Sequence, residues 1–423
     1  MKSEGYTDMQ KETTVLIIAT LDTKEKEALY LREQIQSRGC KTILMDAGIL
    51  AEPSIVPDVE RNEVAKAGGA SIDELVRSKD KGRCIHTMIE GVKKLSQELF
   101  EERRFKGVIS IGGAQGTDIG TAGMRELPFG VPKFMVSTVA SGLTTFGPYV
   151  GTKDIIMMHS VADMQGLNTI TRTVLENAAS SICGMVAEQK FSPMQEATKA
   201  LIAMSMLGTT TPGALRAKDI LEREGFEVVA FHQNGTGGIA MEDMILEGRF
   251  KGVLDINLHE LGDWVVGGLH GAIRDYRLES AGKLGIPQVV APGSIYYTVQ
   301  GPFDRMPEEY KKRQYIIHNP NLTLVRLSYA ELEETAVLTA GKLNRAKGSV
   351  HLFIPLKGFA YPDREGLGHW DPEADRFFME KLKENLSGRI PCEEIDAHIN
   401  DPEFIDPVVE KLLELILDTN VRV

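Results

Sequence analysis

The sequence predicts an α/β protein with two doubly wound, Rossmann-like lobes, each with a mostly parallel sheet, related by an internal duplication. Three observations favour this fold class. The pentapeptide RFKGV occurs twice, at residues 104–108 and 249–253. Each copy precedes a Gly-aliphatic-Pro step into an apolar run, at Gly130 and at Gly285. Upstream of each copy, from Val15 and from Ala200, an apolar strand, a Thr-rich turn, an amphipathic helix, a glycine and a second strand follow in the same order.

The first lobe, expected to span residues 13–190, contains short apolar runs that end in Gly, Thr or Ser. Such runs indicate strands buried on both faces of a parallel sheet. We expect strands at residues 14–20, 41–48, 107–112, 133–138 and 154–160. Helices are predicted at residues 24–38, 92–104 and 165–188. An additional segment near residues 50–90, which the second lobe lacks, is predicted to be a helical insertion.

The second lobe is expected to span residues 198–423, after a polar linker near residues 188–199. Its strands are predicted at residues 201–207, 227–231, 252–258, 288–291, 323–327 and 350–355. Helices are predicted at residues 213–224, 237–247, 330–347, 372–385 and 407–417. Alternation of strand and helix implies right-handed crossovers, with ligands at the carboxyl ends of the strands.

Composition limits the class of protein. Hydrophobic residues make up 42% of the chain and charged residues 26%, as in ordinary globular proteins. The formal net charge of -12 argues against a nucleic-acid partner. The four cysteines are far apart and form no CxxC pair, which favours a reducing compartment. No apolar run has the length of a signal peptide core or a membrane span, so we expect a cytoplasmic protein.

A glycine-rich junction between a strand and a helix is the strongest local signal for a ligand. The segment SIGGAQGTDIG, from Ser110, places Gly112, Gly113, Gly116 and Thr117 between a buried strand and a helix. Glycines there allow backbone amides to approach a phosphate, and the helix amino terminus favours an anion. The GGxxGT spacing is neither a Walker loop nor the dinucleotide fingerprint. The alternative is that these glycines serve only a tight turn.

A phosphate at this junction could belong to a nucleotide. Further residues are expected at the same edge of the first sheet, and we predict that they also contact such a nucleotide: Asp22, Thr23, Lys24, Ser137, Thr138, Ser141 and Gly142. Asp22 could accept a hydrogen bond from a ribose hydroxyl or hold a magnesium-bound water, and Lys24 could contact a phosphate. The alternative for the hydroxyl residues is ordinary capping of the helices that follow, with Thr23 as an N-cap.

The second lobe has a comparable junction and a polar cluster. Gly235, Thr236 and Gly237 lie between a strand and a helix and could bind an anion in the same way. In the segment DINLHELGD, His259 and Glu260 are candidates for a general acid and base. Their spacing matches no zinc signature, so no metal site is predicted. The alternative is that both side chains only form structural hydrogen bonds.

Several segments together resemble a known family: ATLDTK at Ala19, IGGAQGT at Ile111, GVPKFMVSTVASG at Gly130, GTTTPG at Gly208, NGTGGIAME at Asn234, GVLDINLHELGD at Gly252 and PLKGFAYPDREG at Pro355. This family comprises bacterial proteins of unassigned activity and the amino-terminal ATP-binding domain of a plant tobamovirus-resistance protein. The resemblance covers residues 13–417 and implies two Rossmann-like lobes, ATP binding and homodimers. One departure is that Ala114 and Gln115 stand where a Ser-Gly-like pair is expected.

Two functions remain open at this point. The resemblance implies a protein that binds ATP, with or without magnesium, at the glycine-rich loops near a cleft between the lobes. In the plant protein this region is fused to a TIM barrel, so a separate TIM-barrel partner is expected here. The alternative is an enzyme of carbon metabolism that acts on a phosphorylated or carboxylated substrate. It would use His259 and Glu260 as acid and base, and Lys357 or Arg364 to hold a carboxylate. Neither the reaction nor the number of nucleotide sites follows from the sequence.

Overall fold

The computed structural model describes residues 13–141, 147–187 and 199–421. The chain divides between residues 196 and 197 into two compact units, and each unit contains its own parallel sheet. The predicted α/β class with two Rossmann-like lobes is therefore confirmed. The predicted linker lies almost entirely outside the described residues. No helix within the described ranges is long and apolar enough to cross a membrane.

The strands, in chain order, are β1 Thr14–Ala19, β2 Lys41–Asp46, β3 Gly107–Gly112, β4 Lys133–Ser137, β5 Ile156–His159, β6 Leu201–Met206, β7 Glu227–His232, β8 Gly252–Asp255, β9 Gln288–Val290, β10 Tyr297–Gln300, β11 Tyr315–Asn319, β12 Leu322–Arg326, β13 Val350–Pro355 and β14 Cys392–Ile395.

The α-helices are α1 Leu21–Ser37, α2 Arg61–Ala67, α3 Ile72–Ser78, α4 Lys81–Glu101, α5 Ala114–Glu126, α6 Gly147–Val150, α7 Thr169–Ala187, α8 Thr211–Arg223, α9 Thr236–Leu246, α10 His259–Val266, α11 Ser280–Leu284, α12 Glu308–Lys311, α13 Tyr329–Asn344, α14 Pro372–Asn385 and α15 Pro402–Val421.

The first sheet has the order β2-β1-β3-β4-β5, with all pairs parallel. Successive side chains of β1 point to opposite faces, and each face has its own core. Ile17 packs with residues of α1 and α7, whereas Ile18 packs with residues of α2, α4 and α5. Burial on both faces explains why β1 reads as a continuous apolar run in the sequence.

The segment that follows β2 forms α2, α3 and α4. Helix α4 begins at Lys81, earlier than the predicted 92, because the Asp80 side chain accepts a hydrogen bond from the Arg83 amide at 3.0 Å and caps the helix. Helix α1 also begins earlier than predicted, with Thr20 as its N-cap residue. Thr23 therefore lies inside α1 rather than at its cap.

The second sheet has the order β14-β13-β9-β8-β6-β7, again with parallel pairs. Apart from the additional edge strand β14, this is the strand order of the first sheet. A separate antiparallel sheet, β10-β12-β11, was not predicted. The predicted strand at 323–327 corresponds to β12 and belongs to this small sheet rather than to the parallel one.

Candidate functional site

In each unit the order of the parallel strands reverses next to the strand that comes first in the chain. The reversal lies between β1 and β3 in the first unit and between β6 and β8 in the second. Crevices for ligands form at such switch points, outside the carboxyl ends of the strands. Both glycine-rich segments and both predicted acid–base residues follow strands at this edge of their sheets.

The glycine turn of the first unit connects β3 to α5. A Cβ atom at Gly112 would lie 2.7 Å from the Gly116 Cα atom, so only glycine fits there without movement of the backbone. Gly113 is the N-cap residue of α5 and has no side chain that could cap the helix. The Thr117 hydroxyl donates to the Gly113 carbonyl at 2.8 Å and lies 2.6 Å from the Ser137 hydroxyl. The turn is thus fixed from the β4 side.

Hydroxyl groups from two neighbouring strand ends lie around this turn. A Cβ at Gly113 would be 3.7 Å from Thr138 Oγ1, and one at Gly116 would be 4.0 Å from Thr20 Oγ1. The Thr138 amide donates to the Gly112 carbonyl at 3.2 Å. Ser141 is half-buried at the end of the same segment. Gly142 lies outside the described residues.

The three predicted residues after β1 have different environments. Asp22 Oδ2 accepts the amides of Ile49 and Leu50 at 2.9 and 2.8 Å, so this carboxylate holds the segment that follows β2. Thr23 Oγ1 lies 3.3 Å from Thr20 Oγ1, beside the glycine turn. Lys24 is buried and donates from Nζ to the side-chain oxygen of Gln165 at 3.3 Å.

Asp46, at the end of β2, was not singled out from the sequence. Its Oδ1 atom accepts the amides of Leu21 and Gly48 at 3.1 and 2.8 Å. Its Oδ2 atom is buried and has no hydrogen-bond partner within the described part of the chain. Burial raises the pKa of this carboxyl. The residue lines a cavity of about 220 Å³, together with Ile55 and Arg61. The sequence signal that could have identified Asp46 is an acidic residue near the end of the second predicted strand.

The glycine-rich loop of the second unit is occupied by one of the chain's own carboxylates. Glu260 Oε1 accepts the amides of Gly235 and Gly238 at 2.7 and 3.0 Å. A Cβ at Gly238 would lie 1.7 Å from Glu260 Oε2. The amide of Gly237 donates to the Asn234 side chain at 3.3 Å. The amino terminus of α9 therefore already holds an anion.

The same carboxylate belongs to a buried network around Arg277, which is 1% exposed. Arg277 Nε donates to Glu260 Oε2 at 2.9 Å, and its two terminal nitrogens bond Asp255 at 2.5 and 3.0 Å. A further contact joins Arg277 to Glu242 at 3.2 Å. Burial raises the pKa of Glu260 and of Glu242. Glu260 is fully buried, so in this structure it has no surface at which a ligand could exchange a proton.

His259 is also fully buried, but it is linked to a partly exposed partner. Its Nδ1 atom lies 3.2 Å from the Ser294 carbonyl oxygen, and its Nε2 atom lies 3.2 Å from His270 Nδ1. The ring stacks on Tyr297 with a centroid distance of 4.6 Å. Burial lowers the pKa of His259 to about 4. Burial and the neighbouring His259 lower the pKa of His270 to about 4 as well.

Ser294 and Asn257, which sequence reasoning missed, complete this cluster. Ser294 has a φ of +56°, which is uncommon for a residue other than glycine. Its hydroxyl accepts a hydrogen bond from Asn257 Nδ2 at 3.0 Å and lies 2.7 Å from the Thr209 hydroxyl. Thr209 in turn lies 3.3 Å from the Tyr297 hydroxyl. Small polar residues after β6, β8 and β9 were the signal that could have identified the cluster.

Two other predictions concerned metal and carboxylate binding. Within residues 13–141, 147–187 and 199–421 no group of three or more His, Cys, Asp or Glu side chains is arranged to hold a metal ion. Lys357 pairs with Asp396 at 3.0 Å, and Arg364 pairs with Asp401. Both cations therefore already have a carboxylate partner in the same unit.

The fold defines a protein of two Rossmann-like units, with polar residues at the switch point of each sheet. Residues 13–191 match the N-terminal domain of the uncharacterised protein family UPF0261, and residues 199–416 match its C-terminal domain. The chain therefore belongs to the UPF0261 family.

The relatives include bacterial and plant proteins. A UPF0261 protein of Clostridium tetani is 42% identical over 403 residues, which cover 95% of this chain and 98% of that protein. The ToMV resistance protein Tm-1(GCR237) of Solanum lycopersicum is 33% identical over 425 residues, which cover 95% of this chain and 55% of the tomato protein. Among solved structures, the UDP-N-acetylglucosamine 2-epimerase from Rickettsia bellii aligns over 96% of both chains at 11% identity. Its TM-score of 0.24 is too low to support any argument about function.

Proposed function

We propose that this protein binds ATP and that the phosphates lie at the amino terminus of α5 in the first unit. The observation that carries the proposal is the glycine turn at residues 112–116, which lies between hydroxyl groups of Thr20 and Thr138. The first amides of a helix have no partner within the helix, and the helix dipole adds partial positive charge there. A phosphate can therefore accept hydrogen bonds from the turn without displacing any capping side chain.

Comparison of the duplicated units supports the first unit as the proposed nucleotide site. Helices α5 and α10 begin at the same distance from the repeated pentapeptide, at Ala114 and His259 respectively. The small side chain of Ala114 is thus replaced in the second unit by a large buried ring. The amino terminus of α9 is also filled, by Glu260. These contrasts favour one nucleotide per chain.

Lys24 and Asp46 are assigned to opposite ends of the nucleotide. The Lys24 ammonium group, which donates to Gln165 in this structure, contacts a phosphate oxygen in the nucleotide complex. Asp46 Oδ2 is buried without a partner among the described residues, and it accepts a hydrogen bond from a ribose hydroxyl. The cavity lined by Asp46 receives the base. In dinucleotide-binding Rossmann folds an acidic residue accepts a hydrogen bond from a ribose hydroxyl in the same way. Because 2′-deoxy-ATP or 3′-deoxy-ATP lacks one of the ribose hydroxyls, we expect the analogue that loses the hydrogen bond to Asp46 to bind about tenfold more weakly than ATP.

A pair of substitutions at one position tests the phosphate site. Gly113 has φ -79° and ψ -161°, which any residue can adopt, and a Cβ there has ordinary contacts. Gly113→Asp caps α5 with a carboxylate, whereas Gly113→Asn caps it with a neutral group of the same shape. We expect the Asp variant to lose at least about 100-fold in ATP affinity by calorimetry, because a like charge then occupies the phosphate position. The Asn variant should retain much more affinity.

The comparison between the two variants separates charge from shape. Equal ATP affinity in the Asp variant and the wild type would show that the phosphates lie elsewhere. A wild-type protein that does not bind ATP, with or without magnesium, would refute the proposed function altogether. Phosphate release from the same samples distinguishes a binding protein from an ATPase.

The proposal also includes the location of the protein, its oligomeric state and its partner. The protein acts in the cytoplasm as a homodimer, and a TIM-barrel protein on a separate chain is its partner. Sedimentation of the purified protein tests the dimer. Co-purification from the native cell, with and without ATP, tests the partner, and recovery of no TIM-barrel protein under either condition would contradict that part.

A further inference from the structure

We propose that the crevice of the second unit is a separate acid–base site, in which His270 removes a proton from a neutral hydroxycarbonyl compound and His259 positions the His270 ring. This site is independent of the nucleotide site in the first unit. His270 would be the catalytic residue, because its free nitrogen contacts the substrate. His259 would be a positioning residue, because it is fully buried and acts only through His270.

The hydrogen bonds of His259 fix which ring nitrogens carry protons. A carbonyl oxygen can only accept, so the contact of Ser294 O with His259 Nδ1 requires a proton on Nδ1. With a pKa near 4, the neutral ring then has a lone pair on Nε2. That lone pair accepts a hydrogen bond from His270 Nδ1 at 3.2 Å.

The consequence for His270 is a free basic nitrogen. Its proton lies on Nδ1 and is donated to His259, so the lone pair of the neutral ring lies on Nε2. No residue of the described ranges forms a hydrogen bond with this atom, and the His270 side chain is only half-buried. The pair therefore presents one accessible proton acceptor at the crevice.

The backbone around His270 is held tightly, as an acid–base group requires. The His270 amide donates to Asp263 Oδ2, and Asp263 Oδ1 accepts the Val299 amide at 2.7 Å. A Cβ at Gly268 would lie 1.9 Å from Asp263 Oδ1, so the loop wraps closely around this carboxylate. The ring position is thereby set by two elements, α10 and β10.

The strained residue of the cluster supports a function beyond packing. Ser294 has a positive φ at which glycine would be less strained. Both of its polar groups are used in the site, since the carbonyl orients His259 and the hydroxyl contacts Asn257 and Thr209. Glycine would relieve the strain but would lack the side-chain oxygen that makes the second contact.

The chemistry of the crevice indicates an uncharged substrate. Thr209 is half-buried, and Tyr361 is exposed and joined to it through a backbone hydrogen bond at 2.9 Å. Asp255 and Glu260 are sealed in the network of Arg277. The Thr209 hydroxyl lies 3.3 Å from the hydroxyl of Tyr297, whose ring stacks on the neutral His259 ring. Such an uncharged polar lining fits the hydroxyl and carbonyl oxygens of a small sugar-like compound.

The proposed step is a proton transfer that needs no oxidant. His270 Nε2 takes the proton from the carbon next to the substrate carbonyl. The C–H electron pair becomes the double bond of an enediolate, and the carbonyl π pair moves to its oxygen, where the Thr209 hydroxyl donates a hydrogen bond. The imidazolium exchanges its proton with solvent and returns a solvent-derived proton to the same carbon, so the compound is regenerated with that carbon-bound hydrogen replaced.

Deuterium incorporation tests this step in the intact protein. Dihydroxyacetone in D₂O serves as the probe, and proton NMR follows the loss of its carbon-bound hydrogens. We expect wild-type protein to accelerate the exchange over buffer and His270→Gln to reduce that acceleration about 100-fold or more. The control is His318→Gln, which changes an exposed histidine of β11 and should leave the rate unchanged. Exchange at the buffer rate with wild-type protein, or equal rates for wild type and His270→Gln, would overturn the proposal.

The pH dependence of the exchange rate tests whether His259 positions His270 or only supports the structure around it. The charged and titratable groups that face His270 are His259, Asp263 and His232. The wild-type rate should rise through about pH 4 and then level off, because the ring must be neutral to act as a base. Near pH 4, protonation of His259 would place a second positive charge beside His270, which lowers the pKa of His270. His259→Gln cannot carry that charge, so its profile should shift to higher pH. An unshifted profile would exclude the role of His259.

A chemical probe keeps the proposal testable if the variants fail to fold. Diethyl pyrocarbonate acylates accessible, unprotonated imidazole nitrogens. In the folded wild-type protein at pH 6, peptide mapping should find His270 modified and His259 unmodified, with loss of deuterium exchange in step with modification. An unmodified His270 would contradict the free Nε2 atom on which the proposal depends.

Discussion

Glu260 shows how a single side chain changes the use of a helix terminus. Its carboxylate accepts two backbone amides of the loop before and at the start of α9 and pairs with Arg277. A phosphate would make similar hydrogen bonds at an open helix terminus. The sequence placed Glu260 at a strand end, but it could not reveal that a loop of another β-α connection lies within hydrogen-bond distance.

Glu260→Gln should destabilise the second unit by about 2–4 kcal/mol. The Gln oxygen can still accept both amides, but its NH₂ group would face the N–H of Arg277 Nε, so two donors would oppose each other in a buried site. Urea unfolding at neutral pH measures the change. Glu373→Gln, at an exposed position of α14, is the matched control and should cost at most about 0.5 kcal/mol. Equal effects of the two substitutions would contradict the buried network.

His259 should make stability depend on pH in a defined direction. Its pKa falls on folding from its ordinary value of 6.5 to about 4, so the unfolded chain binds more protons between these values. The contribution is complete above pH 6.5 and is lost as the pH falls towards 4, by about 3 kcal/mol. His259→Asn removes this term. The variant should therefore lose less stability than the wild type between pH 7 and pH 4.5 in urea unfolding, and parallel losses would refute the buried neutral ring.

Elements with strong periodicity were predictable, and short elements that depend on tertiary contacts were not. The predicted strands at 107–112 and 350–355 agree with β3 and β13, because continuous apolar runs signal strands buried on both faces. Helix α10 was missed because the apolar segment before it reads as one longer strand. The exposed strand β11 has no alternating pattern, so its pairing with β12 was invisible in the sequence.

The site was predictable to a similar extent. Glycines and hydroxyl residues that follow β3 and β4 were selected from local sequence, and the structure places Gly113 near Thr138. Thr20, which lies near Gly116, was not selected. Ser294 and His270 could not be linked to His259 in the same way. Their contacts join residues far apart in the chain, and no local pattern encodes such distances.

Helix α9 offers a test at the level of one element. Gly238→Ala would put a Cβ atom 1.7 Å from Glu260 Oε2 and displace the carboxylate from the amino terminus of α9. We expect a loss of about 2–4 kcal/mol in unfolding free energy. Gly341→Ala is the control, because its Cβ in α13 meets only the end of a flexible arginine side chain at 3.9 Å. That change should stabilise the protein by about 0.5–1 kcal/mol. A neutral Gly238→Ala would show that α9 tolerates movement of Glu260.

The two units share one strand order, which supports the internal duplication predicted from the repeated pentapeptide. The first unit adds α2 and α3 between β2 and α4, whereas the second adds β14 and an antiparallel sheet. The differences lie outside the shared strands. At the scale of the whole chain, the duplication preserved the framework, and the residues at the two switch points differ.

Each unit should fold without the other. Each contains two apolar clusters of its own, one on either face of its sheet. Fragments covering residues 13–191 and 199–423 should therefore each give a cooperative thermal transition by circular dichroism, as independent domains do. A fragment that melts without a cooperative transition would show that its core is incomplete in isolation.

The carboxylate at the start of α9 also gives the two units different dependence on solutes. The second unit supplies its own anion at this helix, so its stability there needs nothing from solution. The first unit has an open helix terminus, and saturating ATP at about 100 times its dissociation constant should add about 2.7 kcal/mol to that unit alone. Calorimetric scans with rising ATP should move one of two melting transitions upward and leave the other in place, so that a ligand-sensitive half and a ligand-insensitive half coexist in one chain.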